Sequence, residues 1–165
     1  METKKVARAV ILTALAVGLS TFSIPVGISR VFPGQHLVNV LSAVMLGPWY
    51  AVTIAAAVAI IRNVTGLGTP LAFPGGMIGA LLAGMMYRYC SSIYMAALGE
   101  VMGTGLIGAL VSVLFVAPVF MGKTMPMLTI IIAFSASTIV GSVLGVLGLH
   151  VLSKAGFREV YDHSS

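Results

Sequence analysis

Charge is what this sequence has least of. Only 8% of its 165 residues are Asp, Glu, Lys or Arg, against about 25% in soluble domains. A surface facing water cannot be built from such a chain. Acidic residues are the scarcest: there are four, and Glu100 is the only one between Glu2 and Glu159. No paired-carboxylate arrangement is present, and no Ser-His-Asp or kinase pattern either. The single cysteine, Cys90, excludes an internal disulfide and any multi-cysteine metal site. It lies beside Arg88 and Tyr89 at a helix end and reads as structural. His36 has no second His, Cys or carboxylate near it, so no metal is expected. Gly66-Leu67-Gly68-Thr69 lacks the Gly-Lys-Ser/Thr ending of a phosphate loop and follows no buried strand. Neither an ATPase nor a hydrolase finds support, and the chain is read as a non-enzyme without a cofactor.

What the sequence has is apolar. Hydrophobic residues make up 59%, and the 19 glycines and many alanines suit helices packed closely through small side chains. The expectation is an all-α integral membrane bundle of six transmembrane helices forming one domain over residues 1–165. A spanning helix needs about 20 apolar residues, fewer where protein covers its ends. The spans are placed at about 6–23, 35–46, 49–63, 75–89, 93–116 and 127–153. The first begins after Lys4, Lys5 and Arg8 and superficially resembles a signal peptide, but its length and the runs that follow favour a retained helix. Longer Gly/Pro-broken loops at 25–34, 65–75 and 117–126 alternate with tight connections at Gly47-Pro48 and 88–92. Three helical hairpins follow, with the long loops on one face.

The net charge of +5 would suggest nucleic acid in a soluble protein; here it sets topology. With both termini inside, Lys4, Lys5, Arg8, Arg88, Lys154 and Arg158 face the cytoplasm, and Arg30, Arg62 and Lys123 face outward. The excess of inner cations supports a multi-pass protein of the cell membrane with cytoplasmic termini. Trp49, Tyr50, Tyr87, Tyr89 and Tyr94 gather at the inner interface. Both Phe-Pro-Gly segments, at 32–34 and 73–75, then lie on the outer face, each at the entry to a helix.

Polar residues cluster at that outer mouth. A carboxylate inside a span, such as Glu100, costs several kcal/mol unless paired, protonated or bound to a ligand. It is either a structural partner for Arg62 or a backbone donor, or else a ligand contact or protonatable group. Flanking Gly99, Gly103, Gly105 and Gly108 leave space beside it. Gln35, His36 and Asn39 lie within a turn and a half, His36 and Asn39 sharing a face. Arg62 and Asn63 end the third span, where Arg62 is either a snorkelling cation or, with Thr69 and nearby helix N-termini, a donor to ligand. In the first helix, Ala9, Thr13 and Ala16 form one small-residue strip and Ala7, Ala14 and Gly18 a neighbouring one. Such strips pack within the monomer or dock a separate membrane subunit.

These residues resemble a known group. Six short spans, cytoplasmic termini, a small-residue first helix and an outward polar mouth resemble the substrate-binding S components of energy-coupling factor (ECF) transporters. Phe-Pro-Gly-Gln-His-x-x-Asn-Val-Leu-x-Ala-Val at 32–44 is similar to the ThiW family, as are Arg-Asn-x-x-Gly-x-Gly-Thr-x-Leu-Ala-Phe-Pro-Gly at 62–75 and Gly-Glu-x-x-Gly-Thr at 99–104. The resemblance implies a subunit that captures hydroxyethylthiazole, the thiazole precursor of thiamine. It also implies docking through the first helix onto a transmembrane coupling subunit carrying two ATPase subunits. Docking helices of this group often carry Ala-x-x-x-Ala; here only Ala9-x-x-x-Thr13 and Ala14-x-x-x-Gly18 occur. With the resemblance, Gln35, His36, Asn39, Arg62, Asn63, Thr69 and Glu100 are expected around the ligand, with Phe73 stacked on its ring and 24–33 as a lid. The alternative reading is a stand-alone proton-coupled carrier or channel that titrates Glu100.

Overall fold

The computed structural model describes residues 2–26 and 29–156. Gly27 and Ile28 of the expected lid, and Arg158 among the inner cations, lie outside the described residues. Six helical segments account for nearly all of it: α1 (Glu2–Leu19), α2 (Pro33–Leu46), α3 (Pro48–Val64), α4 (Ala72–Cys90), α5 (Ile93–Met121) and α6 (Met127–Lys154). The last two, of 29 and 28 residues, are long and apolar enough to cross a membrane, and α3 is a shorter apolar helix. The outward faces of α5 and α6 carry Leu114, Phe115, Phe120, Val143 and Leu147, each more than half exposed. Faces of that kind suit lipid better than water.

The boundaries follow local chemistry. α1 stops at Leu19, short of the expected 23, as backbone donors of Ser20, Thr21 and Phe22 turn to single-turn partners. In place of an irregular loop, β1 (Ile24–Val26) and β2 (Ser29–Val31) form a small antiparallel hairpin pairing Ile24 with Val31. α4 starts at Ala72, three residues before the expected 75, with Pro74 in its first turn, where a missing N–H has no partner to lose. α5 runs past the expected end at 116, through Pro118, to Met121. Two of its stretches, Gly103–Gly108 and Ser112–Val116, are wound as wider π-turns. The second lies just before Pro118 and relaxes the turn into which the proline ring would otherwise press.

α2 is the hub and packs on all five other helices. Its ten buried residues include Gln35, His36, Asn39 and Ser42, so this helix brings polarity into the centre. Toward the end where α1 starts, Leu12, Leu41, Leu46, Tyr87 and Leu149 make the main apolar cluster. Between α2, α3 and α4 the contacts shrink to alanines: Ala43, Ala51, Ala55, Ala80 and Ala83. A Cβ on Gly84 would stand 2.5 Å from the Pro48 Cα, and one on Gly108 2.5 Å from the Gly75 Cα. Small residues therefore let α4 lie directly against α3 and α5. The opposite end of the bundle, less tightly filled, holds the site.

Candidate functional site

Two hydrogen-bonded groups build the mouth. The first surrounds Arg62, in the last turn of α3. Its side chain is not snorkelling: the residue is 3% exposed and its guanidinium points into the protein. Nη1 donates to Gln35 Oε1, Nη2 donates to the Leu67 carbonyl at 3.4 Å, and Cζ lies 4.3 Å from the Phe32 ring centroid. This cation–π contact holds the residue before α2 against the end of α3. The backbone N–H groups of Leu67 and Gly68 return to the Arg62 carbonyl at 2.8 and 2.9 Å, folding the loop over the helix end. Asn63 Nδ2 donates to the Ala59 and Thr69 carbonyls at 2.8 and 3.2 Å, a clasp on the same loop.

The second group surrounds Glu100, which is fully buried. It is not paired with Arg62. Its Oε1 faces His36 Nδ1 at 2.8 Å, Asn39 Nδ2 at 3.0 Å and Thr104 Oγ1 at 2.9 Å. Asn39 gives its other amide hydrogen to the Gly76 carbonyl at 3.1 Å, and Thr104 Oγ1 also lies 2.9 Å from the Gly75 carbonyl. Converging donors of this kind replace the water a buried carboxylate has lost. Oε2 has no partner among the described residues. Gly79 makes room for the headgroup: a Cβ there would meet Thr104 Oγ1 and stand 2.7 and 2.8 Å from the two carboxylate oxygens.

Between the two groups lies a cavity of about 410 Å³, within the usual range for small-molecule sites. Gln35, His36, Arg62 and Thr69 line it, as does the loop 66–69. Asn39 and Glu100 lie behind His36 and do not line it, Asn63 is engaged in the loop clasp, and Phe73 is half-buried off the cavity wall. Lining residues that sequence reasoning did not single out are Phe32, Thr104, Met125, Ile130, Phe134 and Ser137. Thr104 carried a signal, standing one turn from Glu100; Phe134 carried none, being one apolar residue in an apolar helix. Ser137 Oγ also accepts the Phe32 N–H at 2.9 Å, tying the exit of the hairpin to α6. Two aromatic rings, a few polar atoms and a mostly apolar wall can hold a small planar solute.

On α1 the two small-residue strips separate. Ala16 is 1% exposed and faces the bundle, and Ala9 and Thr13 are half-buried, with Thr13 Oγ1 donating to the Ala9 carbonyl at 2.8 Å. Ala7, Ala14 and Gly18 are exposed beside Val10, Ile11 and Leu15.

A helical bundle with lipid-compatible outer faces and a polar-backed cavity is consistent with a membrane protein that binds a small solute. The family described as Thiamine-precursor transporter protein (ThiW) matches residues 6–155, nearly the whole chain, and the chain belongs to that family. Membership of that family implies transport of a thiamine precursor. No curated protein matches the sequence.

Proposed function

We propose that this protein is the substrate-capture S component of an ATP-driven ECF-type importer and that its ligand is hydroxyethylthiazole. The observation that carries the reading is the cavity of about 410 Å³ between Arg62 and the Glu100 group, in a chain of a thiamine-precursor family. Its size and its aromatic residues Phe32 and Phe134 favour a small azole over a larger conjugate. All six helices span the membrane, with termini in the cytoplasm and the cavity toward the outside. The strands Ile24–Val26 and Ser29–Val31 and the loop 65–71 cover the ligand. Gln35, His36, Arg62 and Thr69 contact it, with Asn39, Asn63 and Glu100 supporting that wall and Phe73 outside it. The exposed strip of Ala7, Ala14 and Gly18 docks onto the transmembrane coupling subunit, which carries two ATPase subunits.

Binding and uptake test separate halves of this reading. The purified chain binds hydroxyethylthiazole saturably, and both His36→Ala and Glu100→Gln weaken that binding by about tenfold or more. Unchanged affinity in both variants removes the site assignment. In liposomes the chain alone gives no uptake. Accumulation of thiazole driven by a proton gradient, without ATPase subunits, would establish the carrier that titrates Glu100 instead.

A further inference from the structure

We propose that His36 reads the ligand through Nε2 acting as a hydrogen-bond acceptor, with Glu100 as the positioning residue that fixes the imidazole tautomer. This rests on the reading that the cavity is the substrate site, and it adds the substrate chemistry: a neutral molecule that offers a hydroxyl hydrogen.

The tautomer follows from the Glu100 group. Asn39 Nδ2 sits between two acceptors, the Gly76 carbonyl and Glu100 Oε1, so its amide orientation is fixed. Glu100 Oε1 already faces that N–H and the Thr104 hydroxyl, so toward His36 Nδ1, at 2.8 Å, it is again the acceptor. Nδ1 therefore carries a hydrogen.

Few charged side chains surround the ring. Of the elements packed around His36, α5 supplies Glu100 and α3 supplies Arg62. α4 presents Gly75 and Gly76 to the cavity, while α6 presents Ser137 to it and lays Gly141 against the His36 Cβ. Arg62 and Glu100 are 3% and 0% exposed, with Arg62 held by Gln35 and Glu100 by His36, Asn39 and Thr104. With Nδ1–H directed at Glu100, the neutral form of the ring keeps its lone pair on Nε2.

Nε2 also has somewhere to point. The His36 side chain is 10% exposed and lines the cavity, Nδ1 is engaged behind it, and Nε2 is not among the buried atoms lacking a partner. Its accessible lone pair opens on the cavity. A ligand hydroxyl satisfies it; a ligand without a donor buries an acceptor unpaired. The phosphate ester of the same alcohol, ionised at neutral pH, sets acceptor oxygens against that lone pair and is disfavoured.

The test uses the purified full chain in nanodiscs and three probes: hydroxyethylthiazole, the ethyl analogue lacking the hydroxyl, and the phosphate ester. The wild type binds the alcohol about ten- to a hundredfold tighter than either other compound. In His36→Leu the preference over the ethyl analogue collapses. An alcohol preference that survives His36→Leu overturns the proposal and leaves the cavity assignment standing. Absence of binding by any probe to the wild type overturns both. Nitrogen NMR of the wild type needs no variant to fold: at neutral pH it shows His36 with Nδ1 protonated and Nε2 bare. An Nε2-protonated or doubly protonated ring contradicts the assignment.

Discussion

At the residue scale the decisive fact is how Glu100 is kept inside. A carboxyl group at 0% exposure survives because Asn39 donates to Oε1, because His36 Nδ1 and Thr104 Oγ1 lie within hydrogen-bond distance of it, and because Gly79 leaves space for the headgroup. Gly79→Ala would drive a methyl into Thr104 Oγ1 and both carboxylate oxygens, contacts that α4 and α5, packed through glycine, cannot relax. The expected cost is about 1–3 kcal/mol of stability, as for other overpacked cores. Thermal unfolding in detergent reads it as a lower midpoint, accompanied by weaker ligand binding. A variant with wild-type midpoint and affinity would mean the carboxylate has freedom that the packing denies it. Half of this site was legible in the sequence because a lone acid, a histidine and an arginine are conspicuous in an apolar chain. Phe73 was misplaced for a geometric reason. With α4 beginning at Ala72, residues 72, 75, 76 and 79 share the inward face and Phe73 rotates off it. The aromatic side chain across the cavity is Phe134 instead, which periodicity in a wholly apolar helix does not mark.

At the element scale, helix positions were legible because proline and glycine punctuate the chain at Pro33, Gly47-Pro48 and Pro126. The β-hairpin was not, since its strands have three residues each and one contains Pro25. The π-turns of α5 leave no mark either, being a shift of backbone partners with no side-chain pattern of their own. On α1 the two small-residue strips differ in exposure: Ala16 is packed inward, whereas Ala14 is exposed. Ala14→Phe is therefore expected to leave thiazole affinity within about twofold, because surface substitutions away from a site cost little. It should sharply reduce uptake by the assembled transporter, where a close helix approach is lost. Paired binding and uptake assays check this, and wild-type uptake by Ala14→Phe would move docking to another face.

At the scale of the whole molecule, the bundle is closed at one end and hollow at the other. Leu12, Leu41, Tyr87 and Leu149 fill the end where α1 begins, and the cavity occupies the end where α3 finishes and α4 begins. Exposed Arg88, Cys90 and Lys154 share the filled end with the start of α1. Cys90 is free and exposed, which supplies a native orientation probe. A membrane-impermeant maleimide should label it in inverted vesicles and not in intact cells; labelling from outside would reverse the topology and place the cavity on the cytoplasmic side.

The account turns on whether the hollow end is where the thiamine precursor sits. The most direct measurement is equilibrium titration of the purified chain with hydroxyethylthiazole, for the wild type and for Ala72→Trp, whose indole would occupy the cavity that Ala72 lines. The account predicts saturable binding at one site in the wild type and loss of at least about tenfold in affinity in the variant, as expected when a pocket is filled by the protein itself. Equal affinity in the two proteins, with Ala72→Trp folded, would contradict it.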